Sequence, residues 1–214
     1  MQRRLPVYLL IDTSYSMEGE AIEAVRNGLD TLVAALRKDP HALETAYLSV
    51  IEFNSSARQL EKLKDMGEFQ VPALNVTGTT AMGEALSLLA DCVEHEVLGS
   101  GHRDWRPMVF LFTDGMPTDE LKRGIQDLKR IKLGILVACA AGPHADINEL
   151  KKITEAIVRL DQADSASISA FFKWVSSSVS TSSQKVETSG KETDGIGELP
   201  PPPPEVNIVD LTKH

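Results

Sequence analysis

The chain has 214 residues, with 31 acidic against 22 basic side chains and a formal charge of -9. That length accommodates one α/β domain with a large core and a tail. The acidic balance, with no basic stripe to offset it, excludes a general nucleic-acid or anionic-membrane binder and fits a soluble protein that takes a cation or a basic partner patch.

In chain order, residues 5–11 form an apolar run that reads as a buried strand. Arg3-Arg4 precedes it, but Pro6 interrupts the run, Asp12 ends it, and no small-residue cleavage site follows, so it does not read as a signal peptide. Residues 18–36 carry Ile22, Val25, Leu29, Leu32, Val33 and Leu36 at helical spacing. Residues 46–53 are a second strand, and the weaker alternation over 58–63 makes an antiparallel hairpin with it. Residues 81–97 read as a helix, 107–113 as a third apolar strand, 118–131 as a helix and 133–141 as a strand. A helix over 146–156, a short strand at 158–160 and a closing helix from 165 to about 179 complete the domain. No window approaches the roughly 20 apolar residues of a membrane helix. Cys92 and Cys139 lie far apart in apolar contexts and read as buried thiols in a reducing compartment, which places the protein in the cytoplasm.

Nearly all-apolar strands separated by helices indicate a doubly wound, Rossmann-like α/β domain: a mostly parallel sheet with one antiparallel edge strand and helices on both faces. From 180 to 199 the chain is rich in Ser, Thr, Gly and charge and reads as a flexible linker. Residues 200–214 form a tail with five prolines, which favour polyproline II, followed by an apolar end from Val206 to Leu211. That end is either a loose terminus or a strand added to a sheet edge, on its own domain or on a partner.

The chemistry concentrates at three places. Asp12-Thr13-Ser14-Tyr15-Ser16 follows the first strand, Gly78-Thr79-Thr80 precedes a helix, and Thr113-Asp114-Gly115 follows a central strand. In a doubly wound sheet the ligand crevice lies beyond the carboxyl ends of the strands, at the point where strand order reverses, so Asp12 and Asp114 are expected to meet there. Carboxylates and hydroxyls together make an oxygen-only set suited to a hard cation such as Mg²⁺. Each piece also has a plain structural reading: Ser14 or Ser16 as a helix cap, Asp114-Gly115 as a turn, Thr80 as a helix start. The histidines 41, 95, 102, 144 and 214 are scattered without ligand spacing. Tyr15 and Met17 flank the first loop and are available either to a partner or to local packing. Trp105 and Trp174 read as packing residues, although Trp105 beside Arg103 and Arg106 can line a surface.

In order and position these pieces resemble the metal-ion-dependent adhesion site (MIDAS) of von Willebrand factor A (vWA) domains, over about residues 5–179. Ala138-Cys139-Ala140-Ala141-Gly142-Pro143, Phe171-Phe172-Lys173-Trp174-Val175-Ser176 and the proline tail resemble more narrowly the TerY-type proteins of bacterial tellurite-resistance clusters. One departure is Gly78-Thr79, where the family usually has a double glycine. The resemblance implies a metal held by Asp12, Ser14, Ser16, Thr80 and Asp114: Mg²⁺, with Mn²⁺ or Ca²⁺ as alternatives. The serines would bind directly, Thr80 directly or through water, and the two aspartates directly or one layer out. A partner carboxylate would fill the open position. The implied function is a non-catalytic adaptor or scaffold in a tellurite-resistance or stress system, with kinase-like or phosphatase-like neighbours as partners.

Two other functions compete. A Mg²⁺-dependent phosphatase of the haloacid-dehalogenase type also places an Asp after the first strand, and Asp114 with Asp119 imitates its second acidic cluster. The residue two positions after the nucleophile should be a proton-shuttling carboxylate and is Ser14. Alternatively, the domain is structural and the tail carries the interaction.

Overall fold

The computed structural model describes residues 3–209. Its elements in order are β1 (Leu5–Asp12), α1 (Glu20–Lys38), α2 (Pro40–Thr45), β2 (Ala46–Phe53), β3 (Ala57–Asp65), α3 (Met82–Val93), β4 (Met108–Thr113), α4 (Leu121–Leu128), β5 (Ile135–Ala141), α5 (Ile147–Leu150), β6 (Ala156–Leu160), α6 (Ser165–Ser189) and β7 (Asn207–Ile208). They build one seven-stranded sheet in the order β3-β2-β1-β4-β5-β6-β7. Strands β2, β1, β4, β5 and β6 run parallel, while β3 and β7 pair antiparallel at the two edges. The sheet therefore has a second antiparallel edge beyond the one expected from the sequence.

Every residue of β1 is buried, as a strand covered on both faces requires. One face carries Leu9, Val50, Phe110 and Val137 under α1 and α6; the other carries Leu10, Ile51, Leu111 and Ala138 under α3 and α4. Helix α1 follows Gly19, which caps it at φ 89°, and has Glu20 and Glu23 in its first turn and Arg37 and Lys38 in its last, matching the helix dipole. Close packing shows at Gly28, where an added Cβ would sit 2.5 Å from the Phe172 ring of α6.

Local structure departs from the sequence reading at three helices. Helix α2 is too short to show a period, although Asp39 caps it by accepting from Ala42 N and Pro40 starts it. Helix α5 has four residues where eleven were expected, because Thr154 Oγ1 donates to Leu136 O at 2.7 Å and turns the chain into β6. Helix α6 continues through residues 180–189, read from composition as linker, and ends at Gly190 with φ 64°. Serine is small enough to pack against a neighbouring helix, so a count of apolar residues misses this burial. Ser178, Ser182 and Ser183 are buried, and Ser178 Oγ donates back to Trp174 O at 2.8 Å.

The chain beyond Gly190 returns across the domain. Arg106 pairs with Glu192 and Asp194, Leu199 and Val206 enter the core, and β7 pairs with β6 through Val158↔Ile208 and Arg159↔Asn207. The apolar end thus adds a strand to its own sheet as far as the described chain reaches; Asp210, Leu211 and His214 lie outside the described residues.

Candidate functional site

The order of the sheet places β2 on one side of β1 and β4 on the other, so the connections diverge at the carboxyl ends of β1 and β4. Asp12 ends β1 and Thr113 ends β4. Thr113 Oγ1 donates to Asp12 Oδ2 at 2.6 Å, and Ser14 N donates to Asp12 Oδ1 at 2.9 Å. Ser14 Oγ and Ser16 Oγ lie 3.0 Å apart, and Ser16 Oγ donates to Asp114 Oδ1 at 2.6 Å. A Cβ on Gly115 would stand 3.6 Å from Thr80 Oγ1 and 3.7 Å from Ser16 Oγ, which brings the third loop to the same point. All five residues singled out in the sequence therefore converge.

Backbone contacts lock the loops. Thr77 N donates to Thr13 O at 2.9 Å and Tyr15 N to Gly78 O at 3.1 Å. Gly78 has φ 68°, and a Cβ there would fall 2.1 Å from Ser55 Oγ. Thr79 is exposed and donates its amide to Ser55 Oγ at 3.1 Å, so it neither crowds the cluster nor adds a hydroxyl to it. Thr80 N donates to Thr118 Oγ1 and Thr118 N returns a bond to Thr80 O, both at 2.9 Å. Asn54, not singled out in the sequence, is buried and joins two loops: its Nδ2 donates to Thr13 Oγ1 at 3.1 Å, and its carbonyl accepts from Ala81 N. The signal for it was a polar residue directly after Phe53, where a buried strand ends.

Burial dominates the electrostatics. It pushes the Asp12 carboxyl up to about 6, against the opposing hydrogen bonds from Ser14 and Thr113. Burial also raises Asp114, opposed by its bond from Ser16 and by the nearby His144. Asp119 stands apart from this cluster. Its two oxygens accept Gly83 N at 2.9 Å and Glu84 N at 2.8 Å, capping α3.

The metal expectation is overturned. Among the described residues no group of three or more His, Cys, Asp or Glu is placed to hold a metal ion. Asp12, Ser14, Ser16 and Asp114 are engaged with one another instead, as a hydrogen-bonded polar cluster. The Mg²⁺, Mn²⁺ or Ca²⁺ site falls with that finding, and so does the partner carboxylate bridged through it. The adaptor role routed through a MIDAS metal falls as well.

Beside exposed polar residues such as Ser16, Glu18 and Thr118, the rim carries two exposed large apolar side chains. Tyr15 is 65% exposed and Met116 60% exposed, on the loops that follow β1 and β4, whereas Met17 is fully buried and serves local packing. Trp105 lies under the Arg3 guanidinium, 3.3 Å from its ring centroid. Trp174 packs in the core and donates Nε1–H to Pro200 O at 2.8 Å.

Residues 7–174 match the von Willebrand factor type A domain family. This chain belongs to that family. The vWA fold is shared with solved structures of low sequence identity. Proximal thread matrix protein 1 from the mussel byssus is 18% identical with a TM-score of 0.65, covering 82% of this chain and 48% of its own. A von Willebrand factor type A protein from Catenulispora acidiphila is 20% identical with a TM-score of 0.62, over 84% of this chain and 43% of its own. The pilus adhesin SpaC from Lactobacillus rhamnosus GG is 15% identical with a TM-score of 0.66, over 84% of this chain and 31% of its own. This vWA domain thus spans less than half of each of those proteins. No curated protein matches the sequence. No helix among the described residues is long and apolar enough to cross a membrane.

Proposed function

We propose that this vWA domain is a non-enzymatic adaptor that binds a protein partner directly across the crevice rim, through Tyr15 and Met116. The carrying observation is their joint exposure on two loops tied together by the Ser16–Asp114 hydrogen bond. Tyrosine and methionine are enriched at protein interfaces, where one offers an apolar ring with a polar tip and the other an adaptable thioether. In this reading Asp12, Ser14, Ser16, Thr80 and Asp114 hold the rim loops in one arrangement, so little order is lost when a partner docks.

The non-enzymatic part is supported by two residues. Ser14 lacks the carboxylate that a phosphatase needs for proton transfer, and Asp119 is committed to capping α3. Two further readings are proposals. The cytoplasmic placement is supported by the free, buried Cys92 and Cys139. The TerY-type placement is supported by the residues quoted above alone, and the comparisons reach no further than the vWA family, with nothing that ties the chain to tellurite resistance.

The test is capture from host lysate in chelator-containing buffer, comparing wild type, Tyr15→Ser/Met116→Ser and the control Leu98→Ser, all with matched melting temperatures. A protein retained by wild type and control but lost from the rim variant supports the proposal. Equal capture by all three overturns it.

A further inference from the structure

The proline run is built into the domain as a presented ridge. Leu199, immediately before it, has φ -79° and ψ 159°. Residues 199–203 each precede a proline, which excludes the helical region and leaves extended or polyproline II backbone. Both ends are anchored, by Leu199 and Val206 in the core. Between the anchors, Trp174 Nε1 donates to Pro200 O at 2.8 Å, and Val206 N donates to Pro203 O at 3.0 Å, closing the run with a turn.

Polyproline II repeats every three residues, so Pro201 and Pro204 fall on one edge, and these are the two exposed prolines of the run. Pro200, Pro202 and Pro203 are half-buried. Among the described residues no donor reaches the carbonyls of Pro201, Pro202 or Pro204. A groove of about 580 Å³ runs along the ridge, lined among others by Lys173, Trp174, Pro200, Pro201, Pro203 and Glu205, so one flank of Pro201 and Glu205 faces it. Glu205, at the end of the run, is exposed and has no ion-pair partner among the described residues.

We propose that residues 200–205 form a preformed docking ridge for a protein domain with an aromatic-lined groove flanked by a basic side chain. Two prolines three apart fill the spaces between aromatic rings, the free carbonyls accept Tyr O–H or Trp N–H donors, and Glu205 meets the basic flank. Anchoring at both ends removes the ordering cost that a free proline peptide would bear. The ridge is a separate surface from the Tyr15–Met116 rim and does not depend on it.

The test titrates the purified full chain into isotope-labelled proline-recognising domains of the SH3, WW and EVH1 types, reading amide shifts. Wild type is expected to bind through the groove aromatics of at least one domain. Pro201→Ala/Pro204→Ala should weaken that binding about tenfold or more, and Glu205→Lys, at an exposed position, should weaken it without changing the melting temperature. Tyr15→Ser/Met116→Ser should bind as wild type does. The proposal is overturned if no domain of the panel binds, or if both ridge variants bind like wild type. It is also overturned if the chain dimerises through this ridge, which would make a second copy the occupant.

Discussion

Replacing Asp12 by asparagine measures what the family's first acidic position costs this domain. The carboxyl is fully buried and its pKa rises from 3.8 to about 6, chiefly by burial. The native state therefore keeps a proton that the unfolded chain releases, and stability falls as pH rises from about 4 to about 6. At 1.36 kcal/mol per unit, the penalty above that window is about 3 kcal/mol. Asparagine is neutral at every pH and keeps the oxygen that accepts Ser14 N, but its amide meets Thr113 Oγ1, whose proton then lacks an acceptor at a cost of about 1 kcal/mol. The net gain at pH 7.5 is about 2 kcal/mol, equivalent to a rise of roughly 4–8 °C in melting temperature for a domain of this size. Thermal unfolding followed by circular dichroism in EDTA-containing buffer, from pH 4 to 8, reads it directly. The advantage of Asp12→Asn should vanish or reverse near pH 4, grow across the window and level off above it. A variant that melts below wild type at pH 7.5, or differs from it equally at both ends, refutes the reasoning.

Gly78→Ala should destabilise by about 2 kcal/mol, since the left-handed backbone and the approach to Ser55 Oγ both oppose a Cβ; urea unfolding checks it, and Ser55→Gly should recover only part. Gly28→Val should cost about 1–3 kcal/mol by forcing α1 from Phe172, measured by the same titration, with Phe172→Leu on the Gly28→Val background restoring some of it. Arg4→Met leaves the buried carboxylate of Asp104 without its guanidinium, 2.5 Å away in the wild type, and should cost about 3–5 kcal/mol. The double variant Arg4→Met/Asp104→Leu should lose less than Arg4→Met alone, which a double-mutant cycle resolves.

Much of the fold was legible because its signals are local. Apolar runs such as Val7 to Ile11 and Val109 to Phe112 have no polar face and so demand cover on both sides, and the helical stripe of α1 supplies that cover. The same patterns put Asp12 and Asp114 at strand ends, and a doubly wound sheet brings those ends together. Weak local signals failed: the six residues of α2 show no period, and the serines of α6 resemble linker until a neighbouring helix and the returning chain bury them.

The sequence by itself thus determined the family, the parallel core and which polar residues share the crevice. Only the tertiary structure decided how those residues are used. Ser16 finds Asp114 across 98 positions and Thr113 finds Asp12 across 101. No local pattern encodes whether such oxygens face an ion or one another. The same holds for the exposure of Tyr15 beside a buried Met17, and for the C-terminal strand on its own β6 edge. Hydrophobic periodicity acts between neighbours in the chain, whereas a hydroxyl's partner and a side chain's exposure depend on which distant segments the closed sheet brings together.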